Sequence, residues 1–485
     1  MLGAFALIGA AMQSSASAAS RSEMTLTPCH LEGVREELRC GTYQVFENRQ
    51  TRRGRILSLK VVMIPARQPH PERGPIFYLS GGPGETGTDM VPYLVSWGEN
   101  AEHDVVIVNE RGTDGDHRLD CRPLGSDENL ENYLKPPFDP AAARICRQEL
   151  ERHYDLSQYT TAASVEDLDE IRQAMGYDRI NLESGSFGTY KAQMYIRKYG
   201  VHVRSAYLLS LVTLSNRVPL EMARTSQHAL DALFDQCHDD AKCGVAYPQL
   251  HEDFSAMLAK VHEGPVLTWV RHPVTDARTQ VHLSEFSFVD AVRVLLYSSE
   301  TARQIPFLIE QAADGDFSPF AEVAMRSVRG IYSGARIGLN YSITCNEFVN
   351  RIRPEEIGPA TDARFFGAWR VNGQIATCKE WAKTLVPSDY FELFRSDVPV
   401  LIVSGDTDPV SPPEYGEELK SSTPNSIHLI VPGGGHTPEN ACLRSIRAEF
   451  FRTAEPSKLN TSCMNKLRPE AFKLPASNAR VHDGR

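Results

Sequence analysis

Short apolar runs alternate with helical patterns along the first 215 residues of the chain. Strands are predicted at residues 56–64, 75–79, 104–108, 179–182 and 206–212. The first of these alternates between apolar and polar side chains, whereas the runs at 75–79 and 104–108 are almost wholly apolar, as in buried strands. Strands of this kind, separated by helices, form parallel sheets that are covered on both faces. The pattern therefore predicts an α/β fold with a mostly parallel central sheet.

Two helices are predicted between these strands. The first is expected to begin at Ser164 as its N-cap, with Asp167 at the capping-box position. The second follows the segment 185–188, where apolar residues recur at the spacing of one helix face. Each helix then has one apolar side with which to cover the sheet.

The alternation breaks at about residue 216, and strand patterns return at 398–403 and 427–431. The intervening stretch reads as largely helical, and a block inserted between strands of one sheet is typical of a cap or lid. The predicted division is a signal peptide (1–18), the first part of the core (19–215), a cap insertion (216–396), the second part of the core (397–452) and a C-terminal tail (453–485).

Composition and charge narrow the classes of partner. The 485 residues carry a net charge of −11 and no long run of Lys or Arg, which argues against nucleic acid or anionic membrane as a partner. No segment after the N-terminus approaches transmembrane length. Residues 1–18 form an uncharged apolar run that ends in Ala16-Ser17-Ala18, a small-x-small sequence typical of signal-peptide cleavage, although the basic start of such peptides is missing.

The ten cysteines support an oxidising compartment. They fall as sequence neighbours, and there is no CxxC pair and no HExxH, so a zinc site or a thioredoxin-like centre is not expected. An even count behind a signal peptide predicts five disulfides between neighbours, with buried free thiols as the alternative. The predicted pairs are Cys29–Cys40, Cys121–Cys146, Cys237–Cys243, Cys345–Cys378 and Cys442–Cys463.

A serine with the setting of a nucleophile follows the predicted strand at 179–182. Ser186 lies in Ser184-Gly185-Ser186-Phe187-Gly188, between a strand and a helix, where a sharp turn requires small residues two positions before and after it. Ser184 replaces the glycine that begins the strict G-x-S-x-G pattern, but it is also small. The alternative is a serine in a glycine-rich turn that caps a helix.

Two further residues complete a candidate triad of nucleophile, base and orienting carboxylate. Asp408 lies just past the strand at 398–403, and His436 lies just past the strand at 427–431. A lone Asp or His at a strand end is usually a turn residue. The order Ser, Asp, His after successive strands is that of α/β-hydrolase sites. Asp406 is the alternative for the acid.

Hydrolysis by serine also requires donors for the developing oxyanion. The amide of Phe187 directly follows the nucleophile at a helix start, where the helix dipole favours negative charge. The second amide is expected from Ser80-Gly81-Gly82-Pro83-Gly84, with Gly82 as the donor, since glycine lets the backbone approach closely.

These motifs together resemble the α/β-hydrolase peptidases that include proline iminopeptidases and secreted bacterial tripeptidyl aminopeptidases. Their HGGPG motif is similar to residues 80–84, their D-x-R-G-x-G segment to residues 109–114 and their GGS[YF]GT elbow to residues 184–189. Serine replaces the histidine of the first motif, and asparagine replaces the aspartate of the second. The resemblance runs from about Leu57 to Phe451 and implies an α/β-hydrolase fold with a large, mainly helical cap.

The resemblance implies an exported serine exopeptidase that acts on peptides near a free amino terminus, without metal or cofactor. An esterase or lipase-like hydrolase with the same triad is the first alternative, and a binding protein on an inactive hydrolase scaffold is the second. Recognition of a cationic α-amino group requires an acidic partner. Glu347, next to Cys345 in the cap, is the residue that we expect to bind it, because the related secreted peptidases carry an acid near this cysteine. A solvated surface carboxylate is the alternative.

Overall fold

The structure is a computed structural model that describes residues 24–122 and 125–475. The predicted signal peptide lies outside the described residues. The strands are β1 (Thr27–Cys29), β2 (Leu38–Asn48), β3 (Arg53–Ile64), β4 (Ile76–Leu79), β5 (Val105–Val108), β6 (Ile180–Gly185), β7 (Val203–Leu209), β8 (Val266–Arg271), β9 (Arg278–Leu283), β10 (Val400–Gly405) and β11 (Ser426–Val431).

Helices occupy most of the remaining chain. They are α1 (Val91–Trp97), α2 (Pro140–Leu150), α3 (Thr161–Ala174), α4 (Phe187–Tyr199), α5 (Val218–Asp239), α6 (Cys243–Ala246), α7 (Leu250–Glu263), α8 (Glu285–Leu295), α9 (Ser299–Ala302), α10 (Ile305–Ala313), α11 (Ser318–Gly334), α12 (Ile337–Ile343), α13 (Pro354–Thr361), α14 (Trp369–Lys379), α15 (Pro413–Lys420) and α16 (Ala441–Thr453). Among the described residues, no helix has both the length and the apolar character that a membrane span requires.

Nine strands form one sheet in the order β1-β2-β3-β5-β4-β6-β7-β10-β11. Strands β1 to β3 pair antiparallel with one another, and β3 pairs antiparallel with β5. From β5 to β11 every pairing is parallel. The carboxyl ends of six neighbouring strands therefore meet at one edge, which is where open α/β sheets bind ligands.

Alternate side chains of each central strand enter different cores. On β10, Val400 and Ile402 belong to the core that includes α3 and α4, whereas Leu401 and Val403 belong to the core that includes α1 and α16. Both sets are fully buried. A sheet covered on both faces needs such continuous apolar strands, and this is why β10 carries the strong Val/Leu/Ile run.

The segment between β7 and β10 adds no strand to the central sheet. Helices α5, α7, α8, α10 and α11, together with the β8–β9 hairpin, enclose a second apolar core, which Leu130, Tyr133 and Leu134 from before the insertion also join. The later part of the segment behaves differently: residues of α12 and the buried Trp381 join the core between the sheet and α3–α4. The insertion therefore supplies most of a second core and also packs directly against the sheet layer.

Several element bounds differ from the sequence prediction, among them those of α3 and β7. Helix α3 begins at Thr161, because the Thr160 side chain accepts a hydrogen bond from the Ala163 amide and caps the helix there. The predicted cap, Ser164, lies inside the first turn, and Asp167 is engaged in an ion pair. Strand β7 begins at Val203 and ends at Leu209. The sequence prediction of 206–212 therefore placed this strand too far toward the C-terminus.

The antiparallel additions were also missing from the sequence prediction. Strand β2 has mostly exposed or half-exposed side chains because it lies near the sheet edge, so its apolar signal is weak. The β8–β9 hairpin buries only alternate side chains of β8, including Val270. Its short alternating runs do not stand out from the helical sequence around them.

All ten cysteines are paired in the structure. The bonds join Cys29–Cys40, Cys121–Cys146, Cys237–Cys243, Cys345–Cys378 and Cys442–Cys463. Each bond joins the neighbours along the chain that the sequence suggested. Cys345 follows α12 and Cys378 lies in α14, so this bond connects two parts of the insertion next to the sheet.

Candidate active site

Ser186 occupies the sharp turn between β6 and α4. Its backbone has φ 53° and ψ −129°, a left-handed region that a residue with a Cβ rarely adopts. Strain of this kind persists only where the surrounding structure holds it. The turn leaves the Ser186 side chain half-buried at the carboxyl edge of the sheet.

The residues on either side show why the turn folds here. A Cβ at Gly188 would lie 2.3 Å from the carbonyl oxygen of Leu79 on β4, so α4 can approach the sheet only with glycine at this position. Ser184 is buried at the end of β6, with its Oγ 3.5 Å from the carbonyl oxygen of Tyr207. A small polar residue thus replaces the usual glycine without a steric conflict.

Asp408, His436 and Ser186 form a continuous chain of hydrogen bonds. His436 Nε2 lies 2.9 Å from Ser186 Oγ, and His436 Nδ1 lies 2.8 Å from Asp408 Oδ2. Asp408 is 1% exposed and His436 is 6% exposed. The three side chains come from loops after β10, β11 and β6, which share the carboxyl edge of the sheet.

The charge state of Asp408 fixes the direction of these bonds. Burial alone would raise its pKa, but His436 and the amides of Ser411 and Val410 outweigh burial and hold the pKa below its ordinary value. An ionised carboxylate can only accept hydrogen bonds, so His436 Nδ1 carries the proton. Its Nε2 is then left to accept the hydroxyl proton of Ser186.

Asp406, the alternative acid, points elsewhere. Its carboxylate faces the amides of Gly433 and Gly434 and the guanidinium of Arg303. Burial raises its pKa against the influence of these donors. The geometry therefore brings Asp408, and not Asp406, to His436.

The loops that carry the acid and the histidine cross in close contact. A Cβ at Gly405 would lie 2.2 Å from the carbonyl oxygens of both Gly434 and Gly435. Thr407 donates its amide and its hydroxyl to the Gly434 carbonyl, at 3.0 and 2.9 Å. These contacts hold the two loops in the register that joins Asp408 to His436.

A residue of the insertion also positions the histidine. The carbonyl oxygen of Tyr297 accepts the His436 amide at 2.7 Å, and the two rings have centroids 5.0 Å apart. The Tyr297 hydroxyl accepts a hydrogen bond from Arg293, which is itself paired with Asp290. The sequence gave no indication of this contact, because Tyr297 lies in a helical stretch without a motif.

The expected oxyanion donors belong to two segments next to the turn of Ser186. Phe187 is the first residue of α4, and Gly82 lies in the loop after β4 with φ 103°. Neither amide donates to another backbone group among the described residues. The Gly82 loop is held from the insertion: Arg336 donates its amide to Gly84 at 2.9 Å, and Asn340 donates to the carbonyl of Pro83 at 3.0 Å.

Glu347 lies in a buried position. It is 1% exposed, and its Oε1 accepts the amide of Thr161 at the start of α3 at 2.8 Å. Burial raises its pKa to about 7, with the Thr161 amide, Tyr190 and Arg351 opposing that effect. The carboxylate is thus engaged with a helix N-terminus, and binding of a substrate amine there stays a prediction.

The segment at 109–114, which follows β5, forms buried ion pairs with the helices next to the site. Arg111 is fully buried and binds both carboxylate oxygens of Asp167 on α3, at 2.7 and 2.8 Å. Glu110 forms a buried ion pair of 2.9 Å with Lys191 on α4, one turn after the nucleophile. Arg111 and Glu110 therefore tie the end of β5 to α3 and α4, respectively.

Two family models match the chain in the regions that carry this site. A model described as the alpha/beta hydrolase fold matches residues 74–236, which include Gly82 and Ser186. A model described as a TAP-like protein matches residues 363–463, which include Asp408 and His436. The chain has the α/β-hydrolase fold. It resembles the tripeptidyl aminopeptidases and proline iminopeptidases, as the sequence motifs indicated.

Individual relatives are distant. A putative hydrolase, YuaR of Escherichia coli, is 22% identical over 56% of this chain and 54% of its own length. The tripeptidyl aminopeptidase of Streptomyces coelicolor is 28% identical over 29% of this chain and 28% of its own length. The chain thus spans about half or less of these curated relatives. A proline iminopeptidase structure from Mycobacterium smegmatis is 12% identical, with a TM-score of 0.40 over 85% of this chain and 98% of that one.

Proposed function

We propose that this protein is an exported serine exopeptidase that hydrolyses amide bonds near the free amino terminus of peptides. The hydrogen-bonded series Asp408–His436–Ser186 is the observation that carries the proposal. Its order along the chain and its place at the carboxyl edge of the sheet are those of α/β-hydrolase triads. The five disulfides support export, because such bonds persist in oxidising compartments.

In the proposed reaction, Ser186 Oγ attacks the scissile carbonyl carbon while His436 Nε2 takes the hydroxyl proton. Asp408 stabilises the resulting imidazolium. The amides of Phe187 and Gly82 donate to the oxygen that becomes negative in the tetrahedral intermediate. Collapse of that intermediate transfers the proton from His436 to the leaving amine. The acyl group stays on Ser186 until water, deprotonated by His436, releases it.

A substrate panel separates this proposal from its alternatives. Aminoacyl and tripeptidyl arylamides with a free amine, their N-acetylated forms and p-nitrophenyl esters are compared by kcat/KM. The proposal expects cleavage of free-amine arylamides and poor cleavage of the acetylated forms. Equal cleavage of free and acetylated peptides would argue against amine recognition, and hydrolysis of esters alone would favour an esterase. An absence of turnover on every substrate would favour a binding protein.

A further inference from the structure

A second acid, Glu85, lies close to the nucleophile. Glu85 directly follows the loop at 80–84 that supplies Gly82. Its Oε2 lies 3.1 Å from the position that a Cβ would take on Gly81, and Ser186 Cβ lies 3.6 Å from that same point. The carboxylate oxygen and Ser186 Cβ can therefore be no farther apart than the sum of these two distances.

The Glu85 carboxylate combines exposure to solvent with proximity to His436. Its side chain is exposed. Nevertheless, desolvation by the surrounding protein raises its pKa, and His436, the Gly81 amide and Lys191 act in the opposite direction. His436 is thus near enough for its charge to affect the Glu85 carboxylate. An acid in this position is available to a ligand and directed toward the reacting groups.

Nothing in the described parts of the chain forms an ion pair with this carboxylate. Lys191, the nearest lysine that affects it, is bound at 2.9 Å to Glu110, and both of these side chains are buried. Asp89 adds a second negative charge to the surroundings of Glu85. Among the described residues, the Glu85 carboxylate beside Ser186 thus has no basic side chain paired with it, which favours a cation from the substrate.

The loop that bears Glu85 is held in place. The backbone of Glu85 forms an isolated β-bridge with Ala335, and its carbonyl oxygen accepts a hydrogen bond from the Ser80 hydroxyl. Arg336 donates its amide to the neighbouring Gly84 at 2.9 Å. Binding energy at Glu85 is therefore directed into positioning the substrate, because little of it is needed to order the loop.

We infer that Glu85 binds the free α-ammonium group of the residue whose carbonyl Ser186 attacks, so that the enzyme releases one amino acid at a time. This inference rests on the proposed peptidase function and adds to it the group that recognises the amine. It also assigns the length of the acyl group that leaves, which the sequence left open.

Covalent geometry supports the release of a single amino acid rather than a tripeptide. The α-nitrogen of an amino acid lies about 2.5 Å from its own carbonyl carbon. A charge-assisted hydrogen bond adds about 2.8 Å, and the attacked carbon stands about 3–3.5 Å from Ser186 Oγ. The distance between the Glu85 carboxylate and Ser186 lies within the reach that these three steps allow together. In a tripeptidyl group, two more residues would move the amine about 7 Å farther from the carbonyl carbon, beyond such a short reach.

The test compares specificity ratios in the full-length protein. For an alanyl arylamide, kcat/KM is measured with a free amine and with an N-acetyl group, and the ratio of the two values is the readout. Glu85→Gln keeps the shape of the side chain and removes its charge. We expect the ratio to fall by about 10-fold to 100-fold, mainly through KM of the free-amine substrate. Asp89→Asn, which removes a nearby charge without touching the site, is expected to leave the ratio within about threefold of the wild type.

Other outcomes would overturn the inference in distinct ways. An unchanged ratio in Glu85→Gln, together with a collapsed ratio in Glu347→Gln, would move amine binding to Glu347. A loss confined to substrates with a lysine or arginine side chain would mean that Glu85 binds that side chain. Faster cleavage of tripeptidyl than of alanyl arylamides by the wild type would refute single-residue release. If the wild type cleaves no arylamide at all, the proposed function itself fails.

A folding control keeps the test decisive. Labelling of Ser186 by a fluorophosphonate reports whether the triad is assembled in each variant. If Glu85→Gln does not label, Glu85→Asp is used, which keeps the charge but withdraws it by one methylene. That variant is expected to lower the ratio by less than Glu85→Gln would, and a ratio equal to that of the wild type would count against the inference.

Discussion

At the scale of single residues, the candidate site depends on which acid faces which base. Asp408 accepts hydrogen bonds from His436 and from two amides of its own loop. Glu347 and Glu85 are the two further acids considered for the site, but Glu347 is buried against a helix N-terminus and Glu85 is exposed. Their different surroundings give the three carboxylates different predicted roles.

The two aspartates of the β10 loop provide the first prediction. Asp408→Asn removes the charge that holds the His436 tautomer, and we expect kcat to fall by about 10⁴. Asp406→Asn leaves the Asp408–His436 contact in place, and we expect less than about a tenfold loss. Steady-state kinetics on a common substrate measures both. The reverse ranking would assign the acid role to Asp406.

The second prediction concerns stability and pH. Burial raises the pKa of Glu347 from 4.5 to about 7, so the folded protein retains a proton there that the unfolded chain has already released. The stability that this proton contributes is complete below about pH 4.5 and is lost as the pH rises through about 7. Glu347→Gln imitates the protonated form and can still accept the Thr161 amide.

We therefore expect the free energy of unfolding of Glu347→Gln, relative to the wild type, to rise by about 2 kcal/mol between about pH 5 and about pH 7.5. Urea unfolding at several pH values measures this difference. A difference that stays constant across the range would mean that Glu347 is ionised in the folded protein throughout.

At the scale of elements, the turn between β6 and α4 is the most constrained part of the site. Ser186 has a positive φ, and α4 passes so close to β4 that only glycine fits at position 188. The helix also carries Lys191, whose buried pair with Glu110 fixes it against the end of β5. The nucleophile is thus held by packing on both sides of the turn.

Two glycines within helices give a matched test of this packing. A Cβ at Gly188 would lie 2.3 Å from the Leu79 carbonyl oxygen, whereas a Cβ at Gly330 in α11 would meet no atom within 4 Å. Gly188→Ala is expected to lower the free energy of unfolding by about 1–3 kcal/mol. Gly330→Ala is expected to raise it by about 0.5–1 kcal/mol. Chemical denaturation checks both, and equal effects would refute the close approach of α4.

The sequence predicted the elements with strong local signals. The apolar run of β10 and the glycine-rich turn at Ser186 identified a parallel sheet and its candidate nucleophile, because buried strands and sharp turns restrict residue choice. The start of α3 was wrong because Thr160 and Ser164 are both good caps, and only tertiary contacts select between them. The β8–β9 hairpin has a weak pattern, since one of its faces is exposed.

The positions of the acids could not be predicted for a different reason. Glu85 and Glu347 both stand next to residues that the motifs marked, and the sequence does not say which one is exposed. The buried Glu347 carboxylate accepts a hydrogen bond from the amide of Thr161, which is 186 positions away in the sequence. Contacts of this kind exist only in the folded chain.

At the scale of the whole molecule, the site is assembled from segments that are far apart in the chain. Gly82 and Ser186 come from the part before the insertion, and Asp408 and His436 come from the part after it. The insertion contributes Tyr297, which holds the backbone of His436, and Arg336, which holds the loop of Gly82. The nucleophile, base and acid thus come from loops of the sheet, and the insertion holds the histidine loop and the loop of Gly82.

The central claim is that Ser186 is the nucleophile of this assembled site. Its most direct test is labelling with a fluorophosphonate, followed by identification of the modified peptide. The account predicts one label per chain, on Ser186, with no labelling of Ser186→Ala and continued labelling of Ser184→Ala. Turnover by Ser186→Ala is expected to fall by about 10⁶. Labelling of Ser186→Ala at the rate of the wild type, or a label found on another serine, would contradict the account.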